Sequence, residues 1–159
     1  MKKEKIKTFK NVSVYSKHRR SLNAKEIKEL EKMVTDVKKT LNDNAGFELS
    51  PEESIESIND FIKTASTCTK KEQRKFGPIF FAFSVFIAKH IASSHSGYIV
   101  KNLKTKEADV FIPFKNTDCF MVFNPLSAIY SAMYDSEFCL NCYLSFIENN
   151  VKSNTNKIK

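Results

Sequence analysis

The sequence predicts an α+β fold: N-terminal helices, a long buried central helix, a three-stranded antiparallel meander and C-terminal helices. Three observations carry that expectation. Apolar residues in the first half recur at spacings of three and four behind good capping residues. The run from Ile79 to Ala92 is apolar on every side and longer than an ordinary strand. After Tyr98 the period falls to two, and the connectors become short and polar. A chain of 159 residues with 42% hydrophobic content and 14 Phe is enough for one core. Its 4 Pro and 3 Gly are too few for a low-complexity or linker-rich protein.

In chain order, residues 1–20 read as a basic arm of low order. Val12-Ser13-Val14 alternates, and Tyr15-Ser16 then breaks the pattern. The first helix follows: Asn23 is an N-cap, Glu26 completes a capping box, and Leu22 can staple onto Ile27. Its inward stripe is Ile27, Leu30, Val34, Val37 and Leu41, about two heptads, too short for a coiled-coil seam. Asn42 to Leu49 reads as a loop. Ser50-Pro51-Glu52-Glu53 opens a second helix with Ile55, Ile58, Phe61, Ile62 and Ala65 inward. Thr69 with Glu72 begins a third, and Pro78 either kinks it or opens a new one.

The central helix should end at Gly97, read as its C′ residue. Strands are expected at Tyr98-Ile99-Val100, Ala108 to Phe114 and Cys119 to Phe123. The last is apolar on both parities, so one side covers the core and a helix is expected to cover the other. Asn124-Pro125 opens a helix with Leu126, Ile129, Tyr130 and Met133 inward. Asp135 or Ser136 then caps a last helix running to about Asn150. Residues 21–151 form a single domain without internal repeat, and 152–159 a basic tail.

The order "FGPIFFAFSVFIAKHI", a meander, then "MVFNPLSAIYSAM" resembles an uncharacterised bacterial α+β domain family over about residues 76–133. That resemblance implies a glycine-led buried helix, an antiparallel sheet and a proline-opened helix. No reaction is attached to it.

The formal charge of +8 is concentrated at the ends. Lys2, Lys3, Lys5, Lys7, Lys10, Lys17, Arg19 and Arg20 stand against Glu4 alone, a net +7, and Lys152, Lys157 and Lys159 add +3. The body from 21 to 151 is therefore at −2. A protein reading nucleic acid on a folded face keeps its cations on that face. Cations on an arm can neutralise phosphates without reading bases, or simply keep the ends solvated. The apolar stretch Ile79 to Ala88 falls short of the roughly 20 residues a membrane span needs. No apolar h-region follows the basic start, so the expectation is a cytoplasmic protein without membrane contact.

Four cysteines invite a metal or redox reading. Cys139-Leu140-Asn141-Cys142 has the spacing of half a zinc site, while Cys68 and Cys119 belong to no second knuckle. A redox C-x-x-C sits at a helix N-terminus, where the dipole lowers the first thiol's pKa. This one is expected inside the last helix, its sulfurs buried as small apolar groups. His90 and His95 fall near the end of the central helix, where its dipole favours them, with Ser93, Ser94 and Ser96 close by. No G-x-S-x-G, P-loop, H-E-x-x-H or G-x-G-x-x-G is present. The expected function is a non-enzymatic module without cofactor that binds another protein, of the immunity, adaptor or accessory kind. The alternative is a nucleic-acid-associated protein using its basic arm.

Overall fold

The structure, a computed structural model, describes residues 18–114 and 120–156. Lys2, Lys3, Lys5, Lys7, Lys10, Lys17, Cys119, Lys157, Lys159 and the alternating Val12–Val14 lie outside the described residues.

A short strand, β1 (Arg19–Ser21), leads into α1 (Ala24–Ala45), α2 (Pro51–Ser66) and the single turn α3 (Lys70–Gln73). A 3-10 turn (Arg74–Phe76) joins α3 to the central α4 (Gly77–Ser94). There follow β2 (Tyr98–Asn102), β3 (Ala108–Pro113), β4 (Phe120–Phe123), α5 (Pro125–Tyr134) and α6 (Leu140–Asn156). The first three helices begin where local chemistry dictates. Asn23 with Glu26, Ser50 with Glu53 and Thr69 with Glu72 each close a reciprocal capping box, satisfying N–H groups that a helix start otherwise leaves without partners. Gly46, at φ 80°, ends α1 in the left-handed region open to glycine. Pro78 opens α4 after the 3-10 turn rather than kinking it, since a proline in the first turn removes no intrahelical bond.

The sheet has four strands, not the three expected, in the order β1-β2-β3-β4 with every pair antiparallel. The added strand is the end of the presumed arm: Arg19 pairs with Asn102, Arg20 with Lys101 and Ser21 with Val100. The domain therefore begins before residue 21. At the other end, α6 runs to Asn156, so Lys152 lies in a helix and pairs with Glu148 one turn back.

Strand alternation sorts the sheet into two faces. Ile99, Ala108, Val110, Ile112 and Phe123 join the helices in one core around Ile58, Phe80, Ile87 and Ile129. On the opposite face Val100 and Phe111 form a second cluster, flanked by Tyr98, Phe120 and Val122, with no helical member among the described residues. The expected helical cover of β4's second side is thus not found there. Instead Phe111 and Phe120 stack at 4.8 Å across the β3–β4 pair.

The helical stretch Lys70–Ser94 spans 25 residues and reaches a mean hydropathy of 1.5, long and apolar enough to cross a membrane by length and composition. This corrects the shorter estimate from sequence, which stopped at Lys89. Half of that stretch's most apolar window is buried inside the fold, against α1, β2, β3 and α5.

Gly97 serves a different purpose from the one expected. The left-handed residue after α4 is Ser96, at φ 54°, while the Gly97 N–H donates to the Ala92 carbonyl at 2.8 Å. That is the long bond of a Schellman closure. A Cβ at 97 would lie 3.0 Å from the Phe111 carbonyl oxygen and 3.0 Å from Ile112 Cγ1. Glycine is present for close approach of α4's end to β3. Gly97→Ala is accordingly expected to cost about 1–3 kcal/mol, and Ser96→Gly to add up to about 1 kcal/mol. Urea unfolding of both variants checks the opposite signs.

Candidate functional site

Arg19 and Arg20, read from sequence as phosphate-contacting arm residues, are engaged with carboxylates. Because Arg19 and Arg20 are neighbours on one strand, their side chains leave opposite faces of the sheet. On the face away from the helices, Arg19 Nε donates to Asp109 Oδ2 at 2.7 Å. Asn102 Nδ2 donates to the same oxygen at 3.0 Å, and Asn124 Nδ2 to Oδ1 at 2.8 Å. Asp109 is fully buried. Three donors on this buried side chain tie both of its oxygens into the fold. Asn124 has a second role: its Oδ1 caps α5 by accepting the Ser127 N–H at 2.7 Å, so this network ties the sheet to the start of α5.

On the helical face, Glu26 receives Arg20 in a two-pronged contact at 2.6 and 2.8 Å, and Lys101 at 3.1 Å. The Arg20 hydrogen bonds, helped by the Asn23 N–H and Lys101 and opposed by burial, hold its carboxyl down from 4.5 to about 2. A folded-state pKa below the unfolded one contributes stability above about pH 4.5, and that contribution is lost as pH falls toward 2. Glu26→Gln is expected to cost about 1 kcal/mol at pH 7, given the partial exposure of Arg20, and little at pH 2, where the carboxyl is half protonated. Parallel denaturant melts at the two pH values test this.

The histidines and serines near the end of α4 do not converge. Burial pushes both His90 and His95 below their ordinary pKa, with Glu52 and Glu148 respectively pulling the other way. Ser94 Oγ donates to the His90 backbone carbonyl at 2.9 Å, not to an imidazole.

The C-x-x-C is where structure departs furthest from expectation. Asp135 does not cap the last helix. It closes α5 through its N–H to Ser131, and its Oδ1 accepts the Glu137 N–H at 2.9 Å in an Asx turn. The chain therefore enters α6 only at Leu140, and Cys139 occupies the N-cap. Its carbonyl accepts the Tyr143 N–H and its Sγ accepts the Cys142 N–H at 3.1 Å. Cys142 stands at N3, with its Cα 5.3 Å from that of Cys139, and the two sulfurs are bonded to each other. Neither is buried: Cys139 is half-exposed and Cys142 exposed. Leu140 between them is buried, and its N–H donates to Oδ1 of the buried Asn59 on α2 at 3.3 Å. Among the described residues no group of three or more His, Cys, Asp or Glu could hold a metal ion. Cys68, half-buried at the end of α2, carries a free thiol.

Beside this turn lies an aromatic ledge. Tyr130 and Tyr134 stack one helical turn apart, 6.5 Å between centroids and 12° between planes, and Tyr134 is 73% exposed. With Phe138, Ser127, Ser131 and Asp135 they line a shallow depression.

Comparison with protein-family models, curated proteins and solved structures finds no match. The residues brought together are the cysteine pair, the ledge and the turn between them. Sequence reasoning named the cysteines but misplaced the helix start, and it treated Tyr130 as a core residue. A clue was present in the spacing of Tyr130 and Tyr134, one helical turn apart on the edge of a helix whose buried face is Leu126, Ile129 and Met133.

Proposed function

We propose that the protein acts by binding another protein, with the ledge of Tyr130, Tyr134 and Phe138 as its contact surface. The observation that carries this reading is the exposed, stacked Tyr130–Tyr134 pair. Tyrosines offer large, rigid contact area, and they are enriched among the residues that dominate protein interfaces. Ser127, Ser131 and Asp135 surround the rings with polar groups, the centre-and-rim plan of protein contacts. A protein partner fits a shallow, open ledge better than a small molecule, which needs a concave site that covers most of its surface. The arrangement suits an adaptor or accessory role, and we place that role in a bacterial cytoplasm, in keeping with the sequence expectation. The nucleic-acid alternative loses two of its eight arm cations, since Arg19 and Arg20 are bound to Asp109 and Glu26.

The experiment is capture by the tagged full chain from its native host, with and without nuclease, alongside Tyr134→Ser. One stoichiometric partner is expected to survive nuclease, and its affinity should fall about ten-fold or more with Tyr134→Ser. Equal capture by both proteins would remove the ledge from the reading, and nuclease-sensitive capture would favour the basic arm.

A further inference from the structure

We infer that Cys139 and Cys142 form a thiol–disulfide exchange centre whose substrate is a cysteine pair on the protein that docks at the adjoining ledge. The chemistry stands on the cysteine geometry, and the choice of a protein substrate rests on the docking reading above.

Five features of the turn support the chemistry. The cysteines occupy the N-cap and N3 positions of a 17-residue helix, where the helix dipole favours negative charge. The Cys142 N–H already points at Cys139 Sγ, 3.1 Å away, so a thiolate on Cys139 inherits a hydrogen-bond donor when the bridge opens. Both cysteines are accessible, unlike buried cysteines that serve as small apolar groups. The scaffold beneath them does not depend on the bridge: Leu140 and Ile147 are buried in the core and Asn59 holds the Leu140 N–H. A bridge between residues three apart also closes a very short loop, so it restrains the unfolded chain far less than a long-range disulfide does. Stability is therefore a poor reason for this pair.

Phe138 connects the chemistry to the ledge. It immediately precedes Cys139 and lines the same depression as Tyr130 and Tyr134. A polypeptide lying on those rings brings its own sulfurs to the start of α6.

The exchange balances without any further reagent. From the dithiol form, the Cys139 thiolate attacks one sulfur of the partner's disulfide. A Cys139–partner bond forms, the partner's bond breaks, and the expelled thiolate takes a proton from water. Cys142 then gives its proton to water, and its thiolate attacks Cys139 Sγ. The Cys139–Cys142 bond forms, the mixed disulfide breaks, and the partner's second sulfur leaves as a thiolate that is protonated in turn. Two electrons pass from the protein's dithiol to the partner's disulfide. The bonded form seen here runs the same steps backward against a partner dithiol.

The test uses the full chain. Incubated in buffers of varied reduced-to-oxidised glutathione ratio and then alkylated for mass analysis, Cys139 and Cys142 are expected to interconvert together as a pair, with α-helical circular dichroism unchanged. Cys139→Ser, which keeps a good N-cap, is expected to abolish that exchange and still fold. Cys142→Ser, expressed in the native host, is expected to accumulate a partner linked through Cys139 and released by dithiothreitol. Adding Tyr134→Ser should reduce that trapping about ten-fold. A pair that stays bonded, or stays as thiols, across the whole glutathione range overturns the exchange centre. Exchange that persists in Cys139→Ser does the same. Glutathione exchange with trapping that ignores Tyr134 leaves the centre standing and overturns the docking reading alone.

Discussion

Asp109→Ala is expected to lower the unfolding midpoint by roughly 10 °C, from a loss of about 3 kcal/mol. The carboxylate is fully buried and accepts from Arg19, Asn102 and Asn124. Removing it takes an acceptor from the Arg19 guanidinium and the Asn102 amide, while the Asn124 amide keeps Glu107 Oε2 at 2.6 Å. Arg19 is 25% exposed, so water relieves part of the penalty, and the estimate sits at the low end of the range for broken buried pairs. Asp109→Asn keeps the volume but turns a donor toward Arg19 or the amides, so it too should be destabilising. Urea unfolding of both variants with Arg19→Ala as a third reads the effect, and a double-mutant cycle isolates the Arg19–Asp109 coupling. A change within about 0.5 kcal/mol for Asp109→Ala would show that the network is not a source of stability. Asn124 both binds Asp109 and caps α5, so the same substitution should loosen the start of the helix that carries Tyr130 and Tyr134.

Phe80→Ala is expected to cost about 3–5 kcal/mol, the range for emptying a buried aromatic site. Phe80 is 1% exposed on the central helix. Its ring meets Tyr130 edge-on at 5.9 Å and Phe76 at 6.0 Å. The substitution therefore removes core volume and also the surface on which one ring of the ledge rests. Phe80→Leu, which fills most of the space, should cost markedly less. Equilibrium denaturation gives both values. If the alanine variant loses no more than the leucine variant, Phe80 does not hold the core as its burial implies.

The parts of the fold that could be read in advance are those whose causes lie within a few residues. Asn23, Ser50 and Thr69 each find their capping partner three positions on, so three helix starts follow from local hydrogen bonding. The all-apolar run of α4 announces burial, which holds for Phe80 and for Phe83 to Ala88, whereas Ile79 at the helix start stays 40% exposed. The candidate site was less legible. Asp135 and Ser136 are better N-caps by type than Cys139. Asp135, however, is used in closing α5 and turning the chain, and this passes the cap to a residue that sequence statistics would not choose.

Sequence alone determined that this protein has capped helices, a buried central helix and a run of antiparallel strands, because capping and apolar periodicity are short-range. Only the tertiary structure decided the fourth strand, the charges that Arg19 and Arg20 neutralise, and the exposure of the cysteine pair. Each of these depends on contacts between distant residues. Arg19 meets Asp109 and Asn102 across the sheet, and Asn59 meets Leu140 across the helical layer. A three-residue strand carrying two arginines has no alternation of its own to show. It becomes a strand because β2 supplies the hydrogen bonds and Asp109 and Glu26 the countercharges.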